Sequence, residues 1–420
     1  MQTISQTIID NVSAEYINTY LNSKKIKFTE DEMGLDLKYR IEKLFQEDGI
    51  DIPDFERFLF DELFWGKRKF IRIYKLDSLN KLKTDEIWLQ NLGEKFDIDS
   101  LEYNNILNTI PNRDNDLKIA AIEMEKDYRG QLTELKILFV KFVRIRDKNN
   151  VQDSSLYFPV TIDFKKKRMF IKTWNRNGLF EADKISELLN SIKSIMSYTF
   201  GIKTKDYHLE HKKILYYMSQ GLISNIYETL PAHKEIAGLD SVMEQFEQKV
   251  LDHLPLKNKQ KIDDKFIISE DVIDFADELY KLLEKVVVSD YFYNIKYEEI
   301  WNMGVDTIIS RIRFNDTEHV LTSMSGEASE LPIFCTKTFM ALKKSMEDAK
   351  YVERLWIAKS RKKGKLELKY DAFSDNYLDV LILSQIRYTQ NDLNIAMEIY
   401  EDYGTSITGT VEKQSKKNAV

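Results

Sequence analysis

Residues 117–174 read LKIAAIEMEKDYRGQLTELKILFVKFVRIRDKNNVQDSSLYFPVTIDFKKKRMFIKTW. Four segments of this stretch predict strands: Leu117 to Glu125, Leu135 to Arg146, Leu156 to Phe164 and Arg168 to Trp174. The connections hold Arg129-Gly130, Asn149-Asn150 and Lys165 to Lys167. Short connections between successive strands predict an antiparallel meander. Ala182 to Phe200 follows, with Ile185, Leu188, Leu189, Ile192 and Met196 at helical spacing, so a helix closes the meander. Strands in succession followed by helices give an α+β fold.

Towards the N-terminus the pattern turns helical. Pro53 and Asp54 start a helix whose apolar face is Phe55, Phe58, Leu59 and Leu63, and Gly66 stops it. Lys67 to Leu76 then alternates, with Phe70, Arg72 and Tyr74 on one side and Ile71, Ile73 and Lys75 on the other, which predicts a strand. Towards the C-terminus, Tyr207 to Leu254 reads as helix, with the stripe Leu239, Met243, Phe246 and Val250. Ser269 is predicted to cap an acidic helix with the stripe Val272, Phe275, Leu279, Leu282 and Val286, and with Glu270, Asp271 and Asp274 at its start. Two hairpins, at 305–324 and 350–370, flank a helix over 336–346; 378–388 fits either strand or helix, and 391–402 reads as helix. The expected organisation is a mainly helical region with one basic strand (1–115), a β-meander with helices (116–254), a linker (255–268), a C-terminal α+β domain (269–403) and a flexible tail (404–420).

Composition narrows the function classes. Apolar residues make up 43% of the 420, and charged residues 31%, which fits a folded chain rather than a disordered one. The single cysteine, Cys335, excludes an internal disulfide and any zinc site that needs two thiolates from one chain, and it points to a reducing compartment. The N-terminus lacks a basic segment followed by a long apolar one, and the longest apolar runs are far too short to span a bilayer, so the expected location is the cytoplasm, with no membrane partner.

Charge is unevenly placed. Windows 66–76, 136–176 and 354–369 carry +5, +8 and +6, so the remainder of a chain of net charge −7 stands at −26. Segregation of that kind predicts a face that attracts a polyanion. Lysine and arginine would neutralise phosphates and release counterions, and interleaved aromatics would stack unpaired bases. The predicted nucleic-acid contacts, to DNA or RNA, are Lys67, Arg68, Lys69 and Arg72; Lys165, Lys166, Lys167, Arg168, Lys172 and Trp174; and Arg361, Lys362, Lys363 and Lys365 at a hairpin tip. Lysine on turns and edge strands also guards against sheet-to-sheet aggregation, which is the plainer reading of the same residues. A cytoplasmic binder of this kind would suit a phage-defence or mobile-element system.

Two alternatives stand beside it. An acid followed by Asp163-Phe164-Lys165 at a strand end matches the metal-dependent nuclease pattern, with Asp153 and Asp163 as Mg²⁺ ligands and Lys165 orienting water. Asp127 with Glu134-Leu135-Lys136, and Glu367-Leu368-Lys369, match as well, which shows how little the pattern demands of a Lys- and Glu-rich chain. No cofactor is expected, Mg²⁺ entering only with the nuclease reading. The second alternative is a non-enzymatic interaction subunit or homo-oligomer, pairing the acidic helix with basic hairpins between chains. His208 and His211 around Glu210, with Asp206, would suit a metal if helical. P-loop, dinucleotide-binding and nucleophile-elbow motifs are absent.

Overall fold

The structure is a computed structural model that describes residues 2–113, 117–147, 150–180, 183–255, 261–262, 265–268, 271–273, 275–292, 297–315, 321–325, 332–362, 364–385 and 387–417. In chain order the elements begin with helices α1 (Gln6–Asn11), α2 (Ala14–Ser23), α3 (Glu30–Met33), α4 (Leu37–Gln46) and α5 (Ile52–Phe64). Strand β1 (Phe70–Leu76), α6 (Asp85–Phe96), β2 (Tyr103–Asn104), β3 (Lys118–Lys126), β4 (Leu132–Asp147), β5 (Asn150–Asp163), β6 (Arg168–Thr173), α7 (Ile185–Tyr198) and β7 (Thr204–Lys205) follow. Next come α8 (Glu210–Tyr227), α9 (Pro231–Ile236), α10 (Asp240–His253), β8 (Lys261–Ile262), β9 (Lys265–Ile268), β10 (Asp271–Ile273), α11 (Phe275–Tyr291) and α12 (Tyr297–Asn302). The last are β11 (Thr307–Asn315), β12 (Leu321–Ser325), α13 (Lys337–Ala349), β13 (Arg354–Ser360), β14 (Lys365–Asp371), β15 (Leu378–Ile382) and α14 (Gln390–Lys417). The fold is α+β, as predicted.

Contacts divide the chain into two units, 1–211 with 368–398 and 212–367 with 399–420. In the first unit the sheet runs β15-β1-β6-β5-β4-β3-β2, antiparallel throughout, with β7 also on β1. Its backbone is the hairpin β4–β5, paired in register from Glu134↔Asp163 to Asp147↔Asn150. Pro159 sits inside β5 opposite Leu138, just beyond the point where β6 stops pairing, so its missing N–H breaks no ladder bond.

Alternation along β4 sends residues to two different cores. Leu135, Ile137 and Phe139 join Trp88, Leu92, Leu188, Leu189, Ile192 and Met196 from α6 and α7. Leu138 and Val140 join Ile8, Ile17, Ile41, Phe55, Leu59 and Leu63 from the N-terminal helices. The sheet is therefore covered on both faces. The expected boundary at 115/116 falls inside this unit because the helices of 1–64 pack against the meander itself. Helix α5 begins as predicted: Asp51 accepts a hydrogen bond from the Asp54 N–H at 3.0 Å, and proline stands in the first turn.

In the second unit, β12, β11 and β13 form an antiparallel group with Ile308, Ile312, Phe314, Leu355 and Ile357 buried. The predicted linker 255–268 contains β8 and β9, which pair with each other, while β9 also pairs with β10. Ser269, Glu270 and Asp274 lie outside the described residues, and Asp271–Ile273 is extended, so α11 starts at Phe275 rather than after Ser269. Leu282 and Val286, predicted as core positions, are exposed; Val288 is the buried residue of α11. Residues predicted as a flexible tail extend α14 to Lys417. That helix is nucleated where Leu393, Ala396 and Met397 are buried, and extension costs less than nucleation.

Candidate nucleic-acid interface

The basic residues of β1 and β6 do not form the open face that alternation predicts. Arg68 is fully buried, its guanidinium donating to the Asn11 carbonyl at 2.7 Å and to Asn11 Oδ1 at 2.8 Å. Arg72 is 4% exposed and pairs with Asp379, its direct cross-strand partner on β15, at 2.8 and 2.9 Å. Lys172 is 0% exposed, its ammonium position 3.8 Å from the Phe64 ring centre and 3.2 Å from that of Trp65. Burial holds its pKa well below the ordinary lysine value, with neighbouring Lys136 adding to the shift. These three predicted phosphate contacts are corrected: Arg72 and Lys172 lie inside a sheet covered on both faces, and Arg68, just before β1, is buried against Asn11, so no phosphate reaches them.

Lys67 and Lys69 are half-buried. Lys67 donates to the carbonyls of Asp10 at 3.0 Å and Val12 at 3.3 Å, and Lys69 donates to that of Ser384 at 2.5 Å. Trp174 is half-buried too, with Lys67 at 4.6 Å and Arg176 at 4.8 Å from its ring centre.

A different cluster gathers at the far end of β1. The turn 164–167 exposes Lys165, Lys166 and Lys167. Asp163 Oδ1 fixes that turn by accepting the N–H groups of Lys165 at 2.9 Å and Lys166 at 2.8 Å. Lys167 takes φ +51°, a left-handed conformation that glycine or asparagine adopts at less cost, and its carbonyl accepts from the Leu76 N–H. The neighbouring Asp77 N–H donates to the carbonyl of Lys203, so a second exposed lysine segment, Lys203 and Lys205, runs beside the first. Lys75 is in register with Arg168 on β6 and with Lys205 on β7. Cross-strand partners share a face, so three cations form one row across three strands. Glu210 bonds Lys75, Asp77 pairs with Lys205 at 3.1 Å, and the Tyr207 ring lies 5.0 Å from Lys75. Lys203 and Lys205 escaped sequence reading because they sit in a short connection between two predicted helices, outside every basic window.

The third basic window belongs to the second unit. Arg361 N–H closes the turn onto the Gly364 carbonyl at 3.0 Å, Gly364 having φ +79°. Lys362 is exposed, Lys365 pairs with Glu367 at 2.9 Å, and Lys363 lies outside the described residues. Trp356 faces the Arg311 guanidinium at 4.8 Å.

The nuclease triad does not assemble. Asp153 and Asp163 stand ten residues apart on one uninterrupted strand, opposite Arg144 and Glu134 respectively. At about 3.3 Å per residue that separates them by roughly 33 Å, far beyond a shared cation. Asp153 is paired with Arg113 at 2.5 Å, and Asp163 serves the turn. Of the other matches, Asp127 Oδ1 accepts the N–H groups of Arg129 and Gln131, Glu134 pairs with Lys136 at 3.0 Å, and Lys369 pairs with Asp371 at 2.8 Å.

His208 has φ +50° and precedes α8, so it does not share a helix face with His211. His211 is buried, with Nε2 2.6 Å from the Ser374 carbonyl. Among the described residues no group of three or more His, Cys, Asp or Glu is placed to hold a metal ion, and no helix is long and apolar enough to cross a membrane. In α11, Glu278 pairs with Lys344 at 3.0 Å, Asp277 pairs with Lys281 at 2.7 Å, and Glu284 bonds Lys343, so acids of that helix are met by lysines of the same chain. A scan against protein-family models finds no match to this chain, and a search of curated proteins finds none.

Proposed function

We propose that this protein binds the phosphate backbone of nucleic acid without sequence choice, through Lys165, Lys166, Lys167, Arg168, Lys203 and Lys205. The observation that carries the reading is the row Arg168, Lys75, Lys205 across three adjacent strands, continued by the lysine turn and by Lys203. Glu210 and Asp77 answer Lys75 and Lys205 within that row, so a polyanion laid along the edge would be drawn chiefly by the exposed lysines of the 165–167 turn and by Lys203. Affinity would come from counterion release, because the aromatics once matched to the cations are buried or half-buried. We place the protein in the cytoplasm, in keeping with its single cysteine, and a phage-defence or mobile-element system would employ such a binder.

The test is fluorescence anisotropy with a labelled 30-mer, single- and double-stranded, across salt. Six phosphate contacts to duplex give a slope of log K against log salt of about −5. Changing Lys165, Lys166 and Lys167 together to Glu is expected to flatten that slope by about 3 and weaken binding by on the order of 100-fold at 0.1 M salt. Binding without a salt slope, or unchanged in the triple variant, overturns the reading.

A further inference from the structure

The opposite end of β1 and β6 opens into a cavity of about 320 Å³. Its wall includes Lys67, Lys69, Phe70, Trp174, Asn175 and Gln385, closed by the apolar stretch 381–383. Phe70 is in register with Thr173 on β6 and Leu381 on β15, so three strands fix this wall. The volume lies at the small end of ligand pockets, so the site would take a single small ligand.

The electrostatics set this cavity apart. Lys67, Lys69 and the adjoining Arg176 are all partly desolvated, yet each hydrogen-bonds a neutral oxygen: the Asp10 and Val12 carbonyls, the Ser384 carbonyl and Ser154 Oγ at 2.9 Å. Among the described residues no carboxylate lines the cavity, and none forms a salt bridge with these three side chains. On β1 itself the cations are neutralised, Arg72 by Asp379 and Lys75 by Glu210. Burial lowers the pKa of all three cations, Lys67 to about 8, with Arg68 and Arg176 adding repulsion and Asp10 a smaller attraction; Asp392 acts weakly on Lys69. Partly desolvated positive charge without a counter-anion favours an incoming anion. Indole and phenyl walls favour an aromatic ring, and the amides of Asn175 and Gln385 supply donors and acceptors for a polar ring edge.

We propose that this cavity binds a nucleoside monophosphate group, with the base against Trp174 and Phe70 and the phosphate held by Lys67 and Lys69. The group would be either a free nucleotide or the 5′-phosphorylated terminal nucleotide of a strand. The site goes beyond the backbone-binding reading and does not depend on it: β1 runs five residues from Phe70 to Lys75, so roughly 17 Å separate it from the lysine row.

The experiment titrates the full chain with AMP, adenosine, inorganic phosphate, and a single-stranded 10-mer with and without a 5′-phosphate, followed by tryptophan fluorescence and calorimetry. AMP is expected to bind saturably and at least tenfold more tightly than adenosine or phosphate alone. Trp174→Phe should remove the fluorescence change while calorimetric binding persists, and Lys69→Met should weaken binding about tenfold. Affinity should fall as pH rises from 7 to 9, approaching tenfold per unit once Lys67 loses its proton. The Lys165, Lys166 and Lys167 to Glu variant should bind AMP unchanged, which separates this site from the lysine row. Tighter binding of the 5′-phosphorylated 10-mer than of AMP or the unphosphorylated strand identifies a strand end as the occupant; AMP binding as tight or tighter identifies a free nucleotide. No saturable heat or fluorescence change with millimolar AMP and none specific to the 5′-phosphate, or a change that survives Trp174→Phe, overturns the proposal.

Discussion

Lys172→Met is expected to stabilise the protein and to leave nucleic-acid binding untouched. The Lys172 amine is wholly buried and has no hydrogen-bond partner, lying between the Phe64 and Trp65 rings. Two effects compete there. Contact with the ring faces favours the charged form by up to about 2 kcal/mol, and desolvation opposes it by several kcal/mol. Desolvation wins, so the folded-state pKa lies well below the usual 10.5. The unfolded chain then binds the proton that the folded chain refuses at every pH between those two values. Stability of the wild type therefore rises with pH across that window, by about 1.4 kcal/mol per unit for one proton, and is lost as pH falls. Methionine has nearly the same shape and no proton to lose. Methionine escapes the cost of burying that amine, so the variant is expected to be several kcal/mol more stable at pH 7. That gain should shrink by about 1.4 kcal/mol for each unit of pH raised towards 10.5. Urea unfolding of both proteins at pH 7, 8 and 9 reads the difference, provided their m-values agree. A difference independent of pH, or a variant less stable by more than 1 kcal/mol, would mean that the rings hold a charged ammonium and that the argument from desolvation is wrong.

Arg72→Met alone should cost about 3–5 kcal/mol in urea unfolding because it strands the buried Asp379 carboxylate, while the pair Arg72→Met with Asp379→Leu should return to within about 1 kcal/mol of wild type or exceed it. Asp163→Ala should cost about 1 kcal/mol, as loss of a cap does, and any plasmid nicking with Mg²⁺ or Mn²⁺ should be the same in Asp153→Ala, Asp163→Ala and wild type; abolition in both variants would restore the nuclease reading. Gly178 has φ +83°, and a Cβ there would stand 2.3 Å from the Arg146 carbonyl oxygen, so Gly178→Ala should lower stability by at least about 1–3 kcal/mol. An unchanged melting curve would show that the 178 turn moves aside freely.

The meander was legible because β-branched and aromatic residues cluster in 117–174 and the turn residues between them are unambiguous. The helices α5 and α7 were legible from a proline-started turn and from the stripe Leu188, Leu189, Ile192 and Met196. Depth was not legible. Alternation on β1 tells which residues share a face, and says nothing of whether that face meets water. Once both faces are covered, Arg72 and Lys172 become interior residues, one answered by Asp379 and one left between two rings. Their partners come from residues 379 and 64–65, far away in sequence. Asp153 and Asp163 failed as a pair for a related reason: spacing in a motif becomes length when the intervening residues form a single strand. The turn Lys165 to Lys167 kept its predicted exposure because a reversal between paired strands projects beyond the sheet. Lys203 and Lys205 joined it only through pairing with β1, which no local window reveals.

Oligonucleotide affinity as a function of salt, compared between the wild type and a Lys203→Glu, Lys205→Glu variant, tests the central claim most directly, because those two lysines enter the site only through the fold. The account predicts that reversing them weakens binding about as much per residue as reversing Lys165 to Lys167, and lowers the salt slope by about 2. Binding that depends on residues 165–167 but is indifferent to Lys203 and Lys205 would contradict it.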